Sequence, residues 1–316
     1  MTSNIIKALS LQTGMDVELI KRITLTAPVR YKTYRIPKRA GGFREISQPA
    51  IEVKALQRGL VEILLRDLPL HEAATAYRTG MSIRDNALRH VGDGPILKMD
   101  FKDFFPSIRP SDWSAYCQKS GILTELDEIK TTSLILFQRQ KGSPVSRLAI
   151  GAPSSPFLSN ALMFDFDQLI ADAVAKDHVR YTRYADDLTF SAPRTGHLVN
   201  VERIVRATIR SISHPKLKIN DDKTTRVTRK YGRRVTGLTL TNDGSVSIGR
   251  ERKRIIHAAV NRASKGELDL SSLGELKGWL GFANSVEPNF IITLRKKYGN
   301  EIIDYIQKFH IPKRST

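Results

Sequence analysis

Two adjacent carboxylates, Asp186-Asp187, stand where one short alternating run stops and another begins, and nothing else in the chain constrains its fold so tightly. Upstream, Val179 and Tyr181 alternate with Arg180 and Thr182; downstream, Leu188 and Phe190 alternate with Thr189 and Ser191. A period of two on both sides predicts a β-hairpin with Tyr184-Ala185-Asp186-Asp187 at its tip. Carboxylates held that close raise each other's pKa, so a fold that keeps them calls for a compensating cation. A pair of Mg²⁺ ions is the economical one, and paired Mg²⁺ is the chemistry of nucleotidyl transfer. Asp-Asp alone is an ordinary dipeptide; Asp221-Asp222, inside the polar stretch Lys218 to Lys223, reads as a solvated turn. The hairpin pair needs a third acid.

Asp100 supplies it. Ile96-Leu97-Lys98-Met99-Asp100 is an apolar strand ending on the acid, and Pro106 stops a helix from running through the residues that follow. Asp100 alternates with Met99 and Phe101 and so faces away from their side of the sheet. Taken singly it would read as a strand-end aspartate capping the next helix. With Asp186 and Asp187 the order becomes one acid, a long interval, then paired acids at a hairpin, which is the layout of a polymerase palm.

The motifs around these acids resemble those of reverse transcriptases. Tyr184-Ala185-Asp186-Asp187 resembles their metal-binding box, Asp100 to Phe105 their first acidic box, and Gly151-Ala152-Pro153-Ser154-Ser155-Pro156 to Asn160 the template-and-nucleotide box. Ile150 stands where most of these enzymes carry glutamine, so only a backbone role, through Gly151, is expected there. Asn86-Ala87-Leu88-Arg89-His90 and Val235-Thr236-Gly237-Leu238 are similar to boxes of the retron reverse transcriptases. Arg183, Leu188 to Ser191, Gly41-Gly42-Phe43-Arg44 and Gln57-Arg58 also fit, and the likeness runs from about residue 28 to residue 310.

That resemblance implies an α+β, right-hand polymerase fold: fingers, a palm with an antiparallel sheet flanked by helices, and a helical thumb. The expected organisation is N-terminal helices and fingers over 1–95, the first acidic motif of the palm over 96–112, and an insertion over 113–148. The palm with the Tyr-Ala-Asp-Asp box then covers 149–244 and the thumb 245–316. Within it, Tyr34 to Ile46 reads as a hairpin with a Gly-Gly turn, and Val53 to Leu65 has helical spacing. Phe157 to Val174 and Val201 to Ile212 read as palm helices, with Leu217 to Ile219 and Val235 to Leu240 as strands closing the sheet. Arg250 and Arg254 lie four apart at the start of a thumb helix whose core stripe is Ile255, Ile256, Ala259 and Val260. Trp279 reads as a core residue of the next helix.

Composition agrees with a polyanionic partner. The chain of 316 residues carries a net charge of +19 and a pI near 10.1. Lys223 to Lys265 holds twelve Lys or Arg against two acids, and Pro28 to Arg58 holds eight against two. Two basic runs flanking an acidic palm read as walls of a duplex channel, with strongly salt-dependent binding. The single cysteine, Cys117, allows no internal disulfide, and with no signal peptide in view the expectation is a cytoplasmic protein. No zinc-ligand spacing and no membrane-length apolar run is present.

By the same resemblance, two Mg²⁺ ions, with Mn²⁺ able to substitute, would be held by Asp100, Asp186, Asp187 and the carbonyl of Phe101. Arg44 and Lys38 would meet the phosphates of incoming deoxynucleoside triphosphates, and Phe105 would clash with a ribose 2′-hydroxyl. Lys223 could protonate the leaving pyrophosphate. Asn86, His90, Val235, Thr236, Gly237, Arg250 and Arg254 are candidates for RNA contact. The partners implied are a cognate structured non-coding RNA, its RNA–DNA product, a separately encoded effector such as an ATPase with an HNH nuclease, and a separate ribonuclease H. The product would be single-stranded DNA primed from a guanosine 2′-hydroxyl, made in anti-phage defence. The alternatives are another prokaryotic reverse transcriptase, of group II intron or diversity-generating type, and a non-catalytic RNA-binding scaffold.

Overall fold

The computed structural model describes residues 3–38, 41–92 and 94–310. They form two compact units, Met1–Gly80 with Leu97–Thr225, and Met81–Ile96 with Arg226–Thr316. Residues 81–96, which the sequence groups with the fingers, belong to the second unit.

The first unit opens on two helices, Asn4–Thr13 and Val17–Thr26. Gly14 ends the first in a left-handed conformation, and the Asp16 carboxylate accepts from the Glu18 backbone N–H at 2.8 Å to start the second. Leu9 and Ile20 are fully buried from the facing sides. The expected basic hairpin is present as Tyr31–Pro37 paired antiparallel with Phe43–Pro49, Pro37 opposite Phe43. Helix Ile51–Leu60 follows and continues as a π-helical turn over Val61–Leu65.

The first unit holds a sheet in which Arg180–Tyr184 pairs with Asp187–Ser191, with Ile96–Asp100 next. Helix Phe164–Ala175 packs on strand Arg180–Tyr184 and on helix Val201–Ser211, burying Phe166, Ile170, Val174 and Val205. Helices laid on an antiparallel sheet make this an α+β layer. The single palm helix expected over 157–174 is two, Ser155–Leu162 and Phe164–Ala175, with the break at Met163 (φ −92°, ψ 1°). The break leaves Asn160 and Asp167 facing the same buried arginine, Arg183.

Two expected strands turn out differently. Leu217 to Ile219 contributes only an isolated bridge, Ile219 opposite Phe101. Val235 to Leu240 is not one strand closing the palm. It is a tight hairpin, Arg234–Val235 against Leu238–Leu240, in a separate three-stranded sheet with Val246–Ser247. The cause is local: Thr236 (φ +47°) and Gly237 (φ +77°) are both left-handed, as the two central residues of a type I′ turn require.

In the second unit that small sheet packs on helix Ile83–Leu88, whose first turn is closed by reciprocal Ser82 and Asp85 capping. Helices Arg250–Ser264, Leu270–Val286, Pro288–Tyr298 and Asn300–Lys308 bury Ile256, Val260, Leu280, Leu294 and Ile303 together. Ile255, expected on the core stripe, is 54% exposed, because Ile256, Val260 and Ala263 already form the inward line. Trp279 packs on this core beside Phe282, as the sequence suggested. No helix among the described residues is long and apolar enough to cross a membrane.

Candidate active site

Tyr184 lies opposite Asp187 in the hairpin register, so Ala185 and Asp186 are its two-residue loop. Ala185 is left-handed (φ +57°), an uncommon conformation outside glycine that local sequence would not select. Surrounding backbone bonds hold it. Phe101 N–H donates to the Asp186 carbonyl at 3.0 Å, Asn220 N–H to the Asp100 carbonyl at 2.8 Å, and Lys102 N–H to the Lys218 carbonyl at 2.8 Å. Three chain segments are thus stitched together around Asp100, Asp186 and Asp187.

The electrostatics match that crowding. Burial, then the charge of Asp100, raises the pKa of Asp186, against the pull of Lys223 and Arg44. Asp187 is pushed up to about 6, first by burial and then by Asp186 and Asp100, although Lys98 opposes this. Asp100 is 5% exposed, and the Lys223 ammonium donates to its two carboxylate oxygens at 2.8 and 2.9 Å. Burial works against the charged lysine, but Asp100 outweighs it and the Lys223 pKa is raised.

Whether these residues suit a divalent ion can be judged from their chemistry. All three are hard oxygen donors, and two are carboxylates that the site drives toward protonation unless a cation is supplied. Among the described residues, no group of three His, Cys, Asp or Glu side chains already closes round one point. Lys223 sits where a cation would sit, and its side chain is 57% exposed, so it can swing outward. The donor set fits a hard divalent cation, with Lys223 holding Asp100 in its place.

The nucleotide-side candidates lie in the same unit. Phe105 is half-buried against Phe104, their ring centroids 5.4 Å apart, and Tyr77 lies 6.4 Å away across a tilted contact. Tyr77 has no counterpart in the sequence reading. It sits in an irregular segment with left-handed backbone (φ +58°), and its phenol is raised by burial and then by the charge of Asp186. Arg44 is exposed, opposite Ile36 in the hairpin, and its charge reaches Asp186. Lys38 is exposed at the hairpin end, where its N–H donates to the Gly42 carbonyl at 2.9 Å.

Gly151 meets the same hairpin from behind. Ser47 N–H donates to the Ile150 carbonyl at 2.8 Å. A Cβ on Gly151 would lie 3.0 Å from Ile46 Cγ2 and 3.1 Å from the Ser47 carbonyl oxygen, and its φ is +120°. Gly151→Ala is expected to cost about 1–3 kcal/mol from backbone strain and this clash. Urea unfolding measures it; an unchanged midpoint would mean the backbone there relaxes freely.

Behind the hairpin tip is a buried polar network. Arg183 and Asp167 have fully buried side chains, joined by guanidinium bonds of 2.6 Å and 2.8 Å. Tyr181 Oη donates to Asp167 at 2.7 Å; Arg183 also reaches the Asn160 side-chain oxygen at 3.1 Å and the Ala185 carbonyl at 3.2 Å. Asn160 in turn donates to the Ala76 carbonyl at 2.8 Å. One network thus holds the Ala185-Asp186 turn and the residue preceding Tyr77.

The candidates for RNA contact belong to the second unit. Asn86, His90 and Val235 are fully buried there. Thr236 Oγ1 donates to the Ile83 carbonyl at 3.0 Å, and Arg252 donates to the Gly237 carbonyl at 2.9 Å. These two boxes therefore build the unit's own packing. Arg250 and Arg254 are exposed on their helix.

Comparison with known proteins agrees with this geometry. The family model "Reverse transcriptase (RNA-dependent DNA polymerase)" matches residues 36–240. The chain is 39% identical over 283 residues to the retron Ec83 reverse transcriptase of Escherichia coli, covering 88% of this chain and 90% of that one. It is 32% identical to the retron Ec73 reverse transcriptase of Escherichia coli, over 90% and 92% of the two chains. With the retron Mx65 reverse transcriptase of Myxococcus xanthus identity is 31%, over 87% of this chain and 66% of the relative. The chain belongs to the retron reverse transcriptases, RNA-directed DNA polymerases of the right-hand fold.

Proposed function

We propose that the chain copies part of its own structured non-coding RNA into a short single-stranded DNA, starting from a guanosine 2′-hydroxyl, with Asp100, Asp186 and Asp187 as the catalytic carboxylates. The observation that carries the assignment is the convergence of these three acids, two of them with raised pKa, on backbone bonds from three segments. The three carboxylates, with the Phe101 carbonyl, would hold two Mg²⁺ ions, and Mn²⁺ would serve in their place. Held there, such ions would supply a lowered pKa for the attacking hydroxyl and charge neutralisation for the leaving phosphates.

The chain's own groups do the rest. Arg44 grips the phosphates of the deoxynucleoside triphosphate in a bidentate fashion, with Lys38 as a point charge behind it. Lys223, once displaced from Asp100, has its Nζ proton available for the leaving pyrophosphate. Phe105, backed by Tyr77, closes the space a ribose 2′-hydroxyl would need. Phe105→Val is expected to admit ribonucleotides at least tenfold more readily, with deoxynucleotide incorporation largely kept. Single-nucleotide incorporation measures the ratio, and an unchanged ratio would return Phe105 to the core. Exposed Arg250 and Arg254 contact RNA. The product acts in anti-phage defence in the cytoplasm, with a separately encoded effector, and ribonuclease H activity comes from another protein.

The test is to express the chain with its native flanking DNA and sequence the nucleic acid that co-purifies, with and without 2′,5′ debranching. One discrete DNA whose attached RNA is released by debranching is the expected result. Heterogeneous RNA with no linked DNA would remove the priming assignment.

A further inference from the structure

Next to the catalytic acids the first unit has a cavity of about 600 Å³, within the range of small-ligand sites. His214-Pro215-Lys216-Leu217-Lys218-Ile219 forms one wall. Along it, His214, Lys216 and Lys218 are exposed while Pro215 and Leu217 are buried and Ile219 is half-buried, so alternate side chains point the same way. Lys102 and Arg109 line the cavity with them.

The charges there are unbalanced. Of the two carboxylates in the lining, Asp112 is 4% exposed and already taken, accepting from the Arg109 backbone N–H at 2.7 Å and lying 2.8 Å from His214 Nδ1. The other is Asp103. Lys102, Lys216 and Lys218 have no side-chain hydrogen bond or ion pair among the described residues. Arg109 is partly buried, and its pKa is lowered by burial and then by a neighbouring guanidinium, Arg147. Cations gathered round a concavity repel one another unless an anion is shared between them.

The position indicates which anion. The cationic wall runs directly into the catalytic centre: Lys218 accepts from Lys102 N–H, Ile219 bridges Phe101, and Asn220 binds the Asp100 carbonyl. We propose that this cavity is a second anion site that takes an oligophosphate, pyrophosphate or the phosphate tail of a free nucleotide, beside the polymerase centre. The enzyme's reaction consumes a triphosphate and releases pyrophosphate, so anions of this class enter and leave the neighbouring centre. A site there holds the anion outside the catalytic acids, through lysines that no catalytic role occupies.

The experiment titrates nucleic-acid-free, full-length protein with sodium pyrophosphate by calorimetry, in buffer stripped of divalent ions by a chelating resin. Catalysis is silent under these conditions, so the result stands apart from the polymerase assignment. One pyrophosphate per chain is expected, bound at least tenfold more weakly by Lys216→Gln/Lys218→Gln. The control Lys130→Gln/Lys176→Gln removes the same charge at exposed positions of the same unit and is expected to bind as the wild type does. Lys102→Gln serves as a second probe if the double variant melts early, and it is expected to weaken binding as well. Equal binding by wild type and both cavity variants, or equal weakening by the control, overturns the proposal. A third outcome also overturns it: the cavity variants lose affinity for a short RNA without terminal phosphates while keeping pyrophosphate, which would make the wall a phosphodiester contact.

Discussion

Asp186→Asn is expected to abolish Mg²⁺-dependent extension of a primer on an RNA template while leaving the metal-free protein as stable as the wild type or more so. A loss on the order of 10³-fold or more, about 4 kcal/mol in the barrier, is the size a lost charge ligand implies. Asp187→Asn should behave alike, and its stability effect carries a sign that can be worked out. The Asp187 pKa in the folded chain, about 6, lies above its ordinary value of 3.8. The folded state therefore holds the proton more tightly than the unfolded state does. The resulting stabilisation is fully present below about pH 4 and is lost as the pH rises through 6. Asparagine, neutral throughout, forgoes nothing above that range. In chelated buffer the melting temperature of Asp187→Asn should exceed that of the wild type at pH 8, with the gap closing toward pH 5. Added Mg²⁺ should then raise the wild type more than the variant, the outcome expected if the intact carboxylates are its ligands. Extension at wild-type rates by either variant would remove these carboxylates from the chemistry.

The acids themselves were legible in the sequence for a physical reason. Period-two alternation on both sides of Tyr184 to Asp187 can only be satisfied by a hairpin, and a strand ending in Asp100 needs no knowledge of the rest of the fold. What was hidden depends on contacts between distant segments. The break at Met163 interrupts an unbroken apolar period, and Thr236-Gly237 splits what reads as one strand because left-handed φ leaves no mark on hydrophobic pattern. Tyr77 lies in an irregular stretch with no period at all. The Asn86 to His90 box reads as a candidate for RNA contact, and the structure buries Asn86 and His90 fully. Composition cannot tell a polar residue that meets solvent from one that meets a partner inside. Arg183 was visible as the neighbour of the acidic box, but its partner Asp167, sixteen positions earlier, was indistinguishable from a helix-surface acid.

That pair gives the largest effect expected on stability. Asp167→Leu leaves the Arg183 guanidinium uncompensated in a fully buried position, and breaking one side of such a pair costs about 3–5 kcal/mol. For a unit of this size that corresponds to a fall in melting temperature of roughly 6–20 °C. Arg183→Met together with Asp167→Leu replaces both charges with apolar groups of similar bulk, and most of the lost stability should return. Activity should not return with it. Arg183 also donates to the Ala185 carbonyl and to Asn160, whose amide holds the Ala76 carbonyl, so methionine restores packing but not the bonds that fix Ala185 in its left-handed turn. The double variant should therefore fold near the wild-type temperature yet extend primers at least tenfold more slowly, with the loss in kcat rather than in KM for nucleotide. Arg183→Lys, which keeps the charge but not the planar fork, should fall between them. If the double variant recovers both stability and turnover, the network only fills the core. If stability alone recovers, the buried arginine is there to position Asp186.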